Sequence, residues 1–173
     1  RFFRELQAWL EPLYLKADNP RGGSGFRGDE ARWRLAREPI VSGVHRDGHF
    51  LDIGCANGLL MESVVAWSAE RGYRVEPHGL DLSEQLVTLA RRRLPLWGEN
   101  MHAGNALYWE PPRRYDFVRT ELVYVPAARY RDYVERIMDR FLTPSGRLII
   151  CSYGSASRPQ PRVEPIAVWL EAW

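Results

Sequence analysis

Asp52, Asp81, Asn105 and Glu121 each stand where an apolar run stops, and a glycine turn, Gly54 to Gly58, follows directly behind the first. Carboxylates and amides so placed accept hydrogen bonds from hydroxyl, ammonium and amino groups, and the charge-assisted bonds are the stronger ones. Phe50-Leu51-Asp52-Ile53-Gly54-Cys55-Ala56-Asn57-Gly58 reads as a buried strand that ends on a carboxylate and breaks into a turn. A long apolar helical segment, Leu59 to Arg71, starts at once, closed by Gly72. Such a unit brings backbone N–H groups and a helix N-terminus up to a ligand. A dinucleotide fingerprint begun at Gly54 needs glycine at 54, 56 and 59, where this chain has Gly54, Ala56 and Leu59. The pattern acid-x-Gly-x-Gly-x-Gly uses 52, 54, 56 and 58, and only Ala56 departs from it. Without a ligand the same residues would be a tight strand-to-helix turn. Asp81 lies roughly twenty residues beyond the turn, the spacing at which a carboxylate reaches two ribose hydroxyls.

The elements that must hold these residues alternate regularly. Strands are expected at Phe50 to Ile53, Arg74 to Leu80, weakly at Asn100 to Ala103, at Tyr115 to Thr120 and at Arg147 to Ser152. Between them Ser83 is a plausible N-cap for a helix that Pro95 stops. Beyond Pro126, Tyr130, Tyr133, Val134, Ile137, Met138 and Phe141 make an apolar helical stripe. Thr143-Pro144-Ser145-Gly146 reads as a turn. Strands alternating with helices imply right-handed crossovers and a doubly wound, mainly parallel sheet. Ahead of it, Phe2 to Tyr14 recur at helical spacing, Gly22 to Phe26 form a flexible stretch, and a second helix runs from about Asp29 to Val44 with a kink or break at Pro39.

Five of these stations together resemble the class I S-adenosylmethionine (SAM) methyltransferases. The turn from Asp52 to Gly58 resembles their first motif, and Asp81 their ribose-binding acid. Gly104-Asn105-Ala106 stands where an aspartate before a small residue meets adenine. Tyr115-Asp116-Phe117-Val118 resembles their fourth strand, and Leu142-Thr143-Pro144-Ser145-Gly146-Arg147-Leu148 the turn before the fifth, with Ser145 replacing a glycine. The resemblance implies a Rossmann-like sheet in the order 3-2-1-4-5, SAM as cofactor and S-adenosylhomocysteine as product. It implies cofactor contacts at Asp52, Gly54, Cys55, Ala56, Asn57, Gly58, Asp81, Leu82, Asn105, Ala106, Thr120 and Glu121. Residues 1–45 would be a helical lid and substrate region, and 46–173 the SAM-binding domain. Glu121 and Tyr124 are weak catalytic candidates by position, as are His102 and Tyr153; His102 reads better as a histidine without a chemical part. Trp33, Trp109 and Tyr124 hint at an apolar or planar acceptor, though core packing explains them as well. Two alternatives stay open: a SAM-binding regulator without turnover, and a nicotinamide-dependent oxidoreductase.

Composition narrows the class further. The chain has 173 residues, enough for one domain with a substantial core, and a net charge of +2 that gives no argument for nucleic acid. No run is long and apolar enough to span a membrane. Cys55 and Cys151 are the only cysteines, expected reduced and hence in a cytoplasmic protein. The partner expected from the methyltransferase resemblance is a small-molecule substrate. His45, His49 and His78 show no metal-ligand spacing. After Ser152 come a Ser/Pro/Arg-rich loop and an apolar helical pattern, Val163 to Trp173, with no strand. The expectation is therefore a fragment that lacks the family's sixth and seventh strands.

Overall fold

A computed structural model describes residues 1–153 and 166–171. Five parallel strands form one sheet: β1 Gly48–Ile53, β2 Val75–Asp81, β3 Met101–Ala103, β4 Tyr115–Glu121 and β5 Leu142–Cys151. Their order is β3-β2-β1-β4-β5, with every neighbouring pair parallel and β5 at an edge among the described residues. This is the Rossmann-like order expected from the sequence. Val163, Trp173 and the loop after Tyr153 lie outside the described residues.

Alternation along the central strands divides the core in two. Leu51, Ile53 and Val118 bury one face against Tyr133, Val134 and Ile137, which belong to α5 (Tyr130–Arg136) and the π-helical turn Ile137–Phe141. Phe50 and Phe117 face the other way, onto Val64 and Trp67 of α3 (Leu59–Glu70) and onto Trp33 of α2 (Glu30–Arg37). Strands buried on both faces read as continuous apolar runs, as these do. The expected cap at Ser83 is present: its hydroxyl accepts the Leu86 N–H at 3.1 Å and starts α4, Glu84–Arg93. Pro39 breaks the second N-terminal helix as expected, and the chain continues as a tighter turn, Glu38–Gly43.

Two local expectations change. Thr143 to Gly146 is a bulge inside β5: Tyr115 pairs with Leu142, and the next pair is Phe117 with Arg147. Gly22 to Phe26 is ordered by a 3₁₀ turn, Gly22–Ser24, with Gly25 left-handed behind it. Across the carboxyl ends of the strands lies α1, Phe2–Leu15. Among the described residues no helix is long and apolar enough to cross a membrane.

Candidate active site

The turn after β1 is held by the neighbouring strand. The N–H groups of Gly54 and Cys55 both donate to the Leu80 carbonyl, at 2.7 and 3.2 Å. Gly54, Ala56 and Gly58 all have left-handed backbones, with φ of 80°, 47° and 80°. The acid-x-Gly-x-Gly-x-Gly spacing is thus a spacing of positive φ, and Ala56 occupies such a position at a cost of about 1–2 kcal/mol. Asp81 holds it there: Oδ2 accepts the Ala56 N–H at 2.8 Å while Oδ1 accepts the Ser83 N–H at 2.9 Å. Burial raises the Asp81 carboxyl above its ordinary range, and these backbone donors pull it down.

Beside the turn opens a cavity of about 530 Å³, within the size range of small-molecule sites. Asp52, Gly54, Cys55, Ala56, Asp81, Leu82, Asn105, Ala106, Glu121 and Tyr124 line it, so most of the residues expected from sequence share one space. Three do not line it. Thr120 is fully buried, its hydroxyl 2.5 Å from that of Tyr133. Gly58 begins α3 beneath Leu94. Asn57 faces the N-terminal segment, accepting from Ser24 Oγ at 2.7 Å and donating to the Pro20 carbonyl at 2.8 Å. Asn105 reaches the cavity, but its Oδ1 also accepts the Leu107 N–H at 3.0 Å, leaving one lone pair of that oxygen. His102 and Trp109 lie outside the lining and pack on one another, ring centroids 5.2 Å apart.

The floor holds a residue that strand patterning passed over. Arg119, in β4, pairs in register with Asp52 and is 2% exposed. Its Nη1 donates to Asp52 Oδ1 at 3.2 Å, to Tyr124 Oη at 3.2 Å and to the Ile53 carbonyl at 3.5 Å; Nη2 donates to Glu121 and to Tyr153 Oη. Tyr124 in turn donates to Glu121 at 2.8 Å. Asp52 Oδ2 is buried without a partner among the described residues. Burial pushes the Asp52 carboxyl up to about 6 against the opposing pull of Arg119. A charge inside the run Phe117-Val118-Arg119-Thr120 was the available signal. The Tyr124 ring lies over Gly54, where a Cβ would collide with it. Burial raises its phenol well above the ordinary value.

Helix α1 forms the roof with Phe3, Leu6 and Leu10, and Glu11 fastens it to the start of α4 through Ser83 Oγ and Gln85 Nε2. Arg37 lines the wall with its guanidinium carbon 3.5 Å over the Tyr153 ring, and it pairs with no carboxylate among the described residues. Among those residues no group of three or more His, Cys, Asp or Glu side chains is placed to hold a metal ion.

No family model and no curated protein matches the sequence. Solved structures share its fold. Phosphoethanolamine N-methyltransferase 1 of Haemonchus contortus, solved with phosphoethanolamine and S-adenosylhomocysteine, aligns with a TM-score of 0.68 at 17% identity, over 91% of this chain and 34% of its own. DhpI in its complex with SAM and HEP gives 0.66 at 15% identity, over 91% and 68%. CalS10, a SAM-bound amino pentose methyltransferase from Micromonospora echinaspora, gives 0.55 at 23% identity, over 78% and 55%. The chain thus spans about a third of the first protein and about half of the last. The shared architecture is the Rossmann-like fold of SAM-dependent methyltransferases.

Proposed function

We propose that this chain binds SAM at the Gly54–Gly58 turn and transfers its methyl group to a small-molecule acceptor. The observation that carries the reading is Asp52 Oδ2, a buried acceptor without a partner among the described residues, on the wall of a cavity at the carboxyl ends of β1 and β4. It lacks a cationic donor, and the amino-acid ammonium of SAM is one. Asp81 supplies carboxylate lone pairs for ribose hydroxyls, Asn105 and Ala106 supply the adenine side, and Arg37 supplies a cation for a carboxylate. When bound, SAM contributes an electrophilic methyl on a sulfonium.

What the residues add is alignment and exclusion of water, and proximity of this kind contributes ~7–11 kcal/mol. Tyr124 stays protonated, because burial disfavours its phenolate, and its hydroxyl donates to Glu121. Glu121 Oε1 already accepts from Arg119 and Tyr124. Both weak catalytic candidates are therefore read as holding the floor of the cavity in place. Residues 1–45 act as the lid, since α1 roofs the cavity with apolar side chains and suits a small, partly apolar acceptor. The test is incubation with methyl-labelled SAM and a panel of small amines, alcohols and thiols. Label transferred to an acceptor supports the proposal. Failure to bind SAM removes it, and binding without transfer across the panel favours a SAM-binding regulator.

A further inference from the structure

We infer that Arg119 and Glu121 act as a charge-setting pair, leaving the Asp52 end of the cavity with one net negative charge so that it selects a ligand bearing a single cationic group there. The inference rests on the SAM reading, in which that group is the amino-acid ammonium.

Arg119 and Asp52 are 3% and 1% exposed at their side chains, so both charges have left water and must be compensated inside. Asp52 alone would meet an ammonium as one anion against one cation. Arg119 consumes that complementarity, because it sits in register across from Asp52 and takes Oδ1. Glu121, two residues on in the same strand and 18% exposed, restores it by accepting from the other end of the guanidinium. Two carboxylates and one guanidinium sum to a single negative charge.

Acceptor capacity remains free on both carboxylates. The hydrogen bonds from Arg119 and Tyr124 both fall on Oε1 of Glu121, and Asp52 Oδ2 has no partner among the described residues. Arg37 lies farther along the wall, its guanidinium carbon 3.5 Å over the Tyr153 ring, and donates to neither carboxylate; it is the cation left for the ligand's own carboxylate. Arg119 also fixes where the charges stand, because Ile53 of β1, Tyr124 after β4 and Tyr153 after β5 all accept from it. With Arg119 absent, the buried carboxylate of Asp52 and the part-buried one of Glu121 would compete for one proton, and the charge of the cavity would drift with pH. With Glu121 neutral, Arg119 would cancel Asp52 and leave nothing for a cation.

The experiment is calorimetric titration with S-adenosylhomocysteine and with its deamino analogue, identical but for the amino group. The proteins are the native chain, Glu121→Gln and Arg119→Met/Glu121→Gln. Glu121→Gln keeps the shape and removes the net charge; it is expected to weaken S-adenosylhomocysteine by about tenfold or more while moving the analogue by less than about threefold. The double variant restores one net negative charge through Asp52 and is expected to recover the preference for the amino ligand. Equal losses for both ligands in Glu121→Gln, or no loss for either, would overturn the inference. Should the double variant fail to fold, the selectivity of Glu121→Gln decides alone. A native chain that binds neither ligand overturns the SAM reading itself, whereas native binding with unmoved selectivity overturns only the charge-setting pair.

Discussion

The carboxylate of Asp81 holds the backbone of Ala56 across the gap between β2 and the turn after β1, N–H to Oδ2 at 2.8 Å. The other oxygen takes the Ser83 N–H at the start of α4. One side chain therefore ties a strand end, the glycine turn and a helix start together, and in the proposed function the same carboxylate meets the ribose.

Asp81→Ala is accordingly expected to cost stability as well as ligand affinity. Losing an acceptor for two part-buried backbone donors costs about 1–3 kcal/mol. Urea unfolding would show a lowered midpoint at an unchanged slope. An unchanged midpoint would mean that these two bonds do not hold the turn.

At Ala56 the reverse effect is expected. With φ at 47° the residue pays for a left-handed backbone that glycine adopts freely. Ala56→Gly removes that strain and adds chain entropy to the unfolded state, for a net gain of about 0.5–1 kcal/mol. Thermal unfolding checks it, and a lower Tm would show the strain to be absent.

Gly54 and Tyr124 should be energetically coupled. A Cβ on Gly54 would collide with the Tyr124 ring, and φ there is 80°. Gly54→Ala is expected to destabilise the chain, and Tyr124→Ala in the same molecule to return the packing part of the loss but not the backbone part. A coupling energy of about 0.5–3 kcal/mol from the four unfolding curves is the expected result. Strict additivity would place the ring elsewhere.

Stability below neutral pH should fall on account of His78. It lies buried, 3.1 Å from the His49 ring nitrogen, and burial lowers its pKa to about 4. The unfolded chain takes up that proton near pH ~6.5 and the folded chain only near the lower value, so stability is lost as pH falls through this window. Asp52 acts in the opposite sense: its carboxyl, raised to about 6, regains stability as pH falls through that value. His78→Gln is therefore expected to be relatively more stable than the native chain at about pH 5 than at about pH 7. An equal difference at both values would show that His78 does not titrate on unfolding.

Much of the site was legible because it follows strand ends, and strand ends can be read from where apolar runs stop. Asp52, Asp81, Asn105 and Glu121 were placed in this way, and all four line the cavity. Ser83 and Pro39 were legible too, since caps and breaks act within a few residues. Arg119 was not, because its partner Asp52 lies 67 residues away and period-two patterning records only which face a residue takes. The side-chain direction of Asn57 was hidden for a related reason. It belongs to the motif by position, yet its side chain turns to Ser24 and Pro20, which local spacing cannot reveal. The bulge at Thr143 to Gly146 looked like a turn because the residues that bulge a strand are those that turn a chain.

The central claim is that the space beside the Gly54–Gly58 turn is a SAM site. Its most direct measurement is calorimetric titration of the chain with SAM, with NAD as the comparison ligand. The expected result is saturable one-to-one binding of SAM that Asp81→Asn weakens, with no heat from NAD. Binding of NAD in place of SAM, or of neither, would contradict the account.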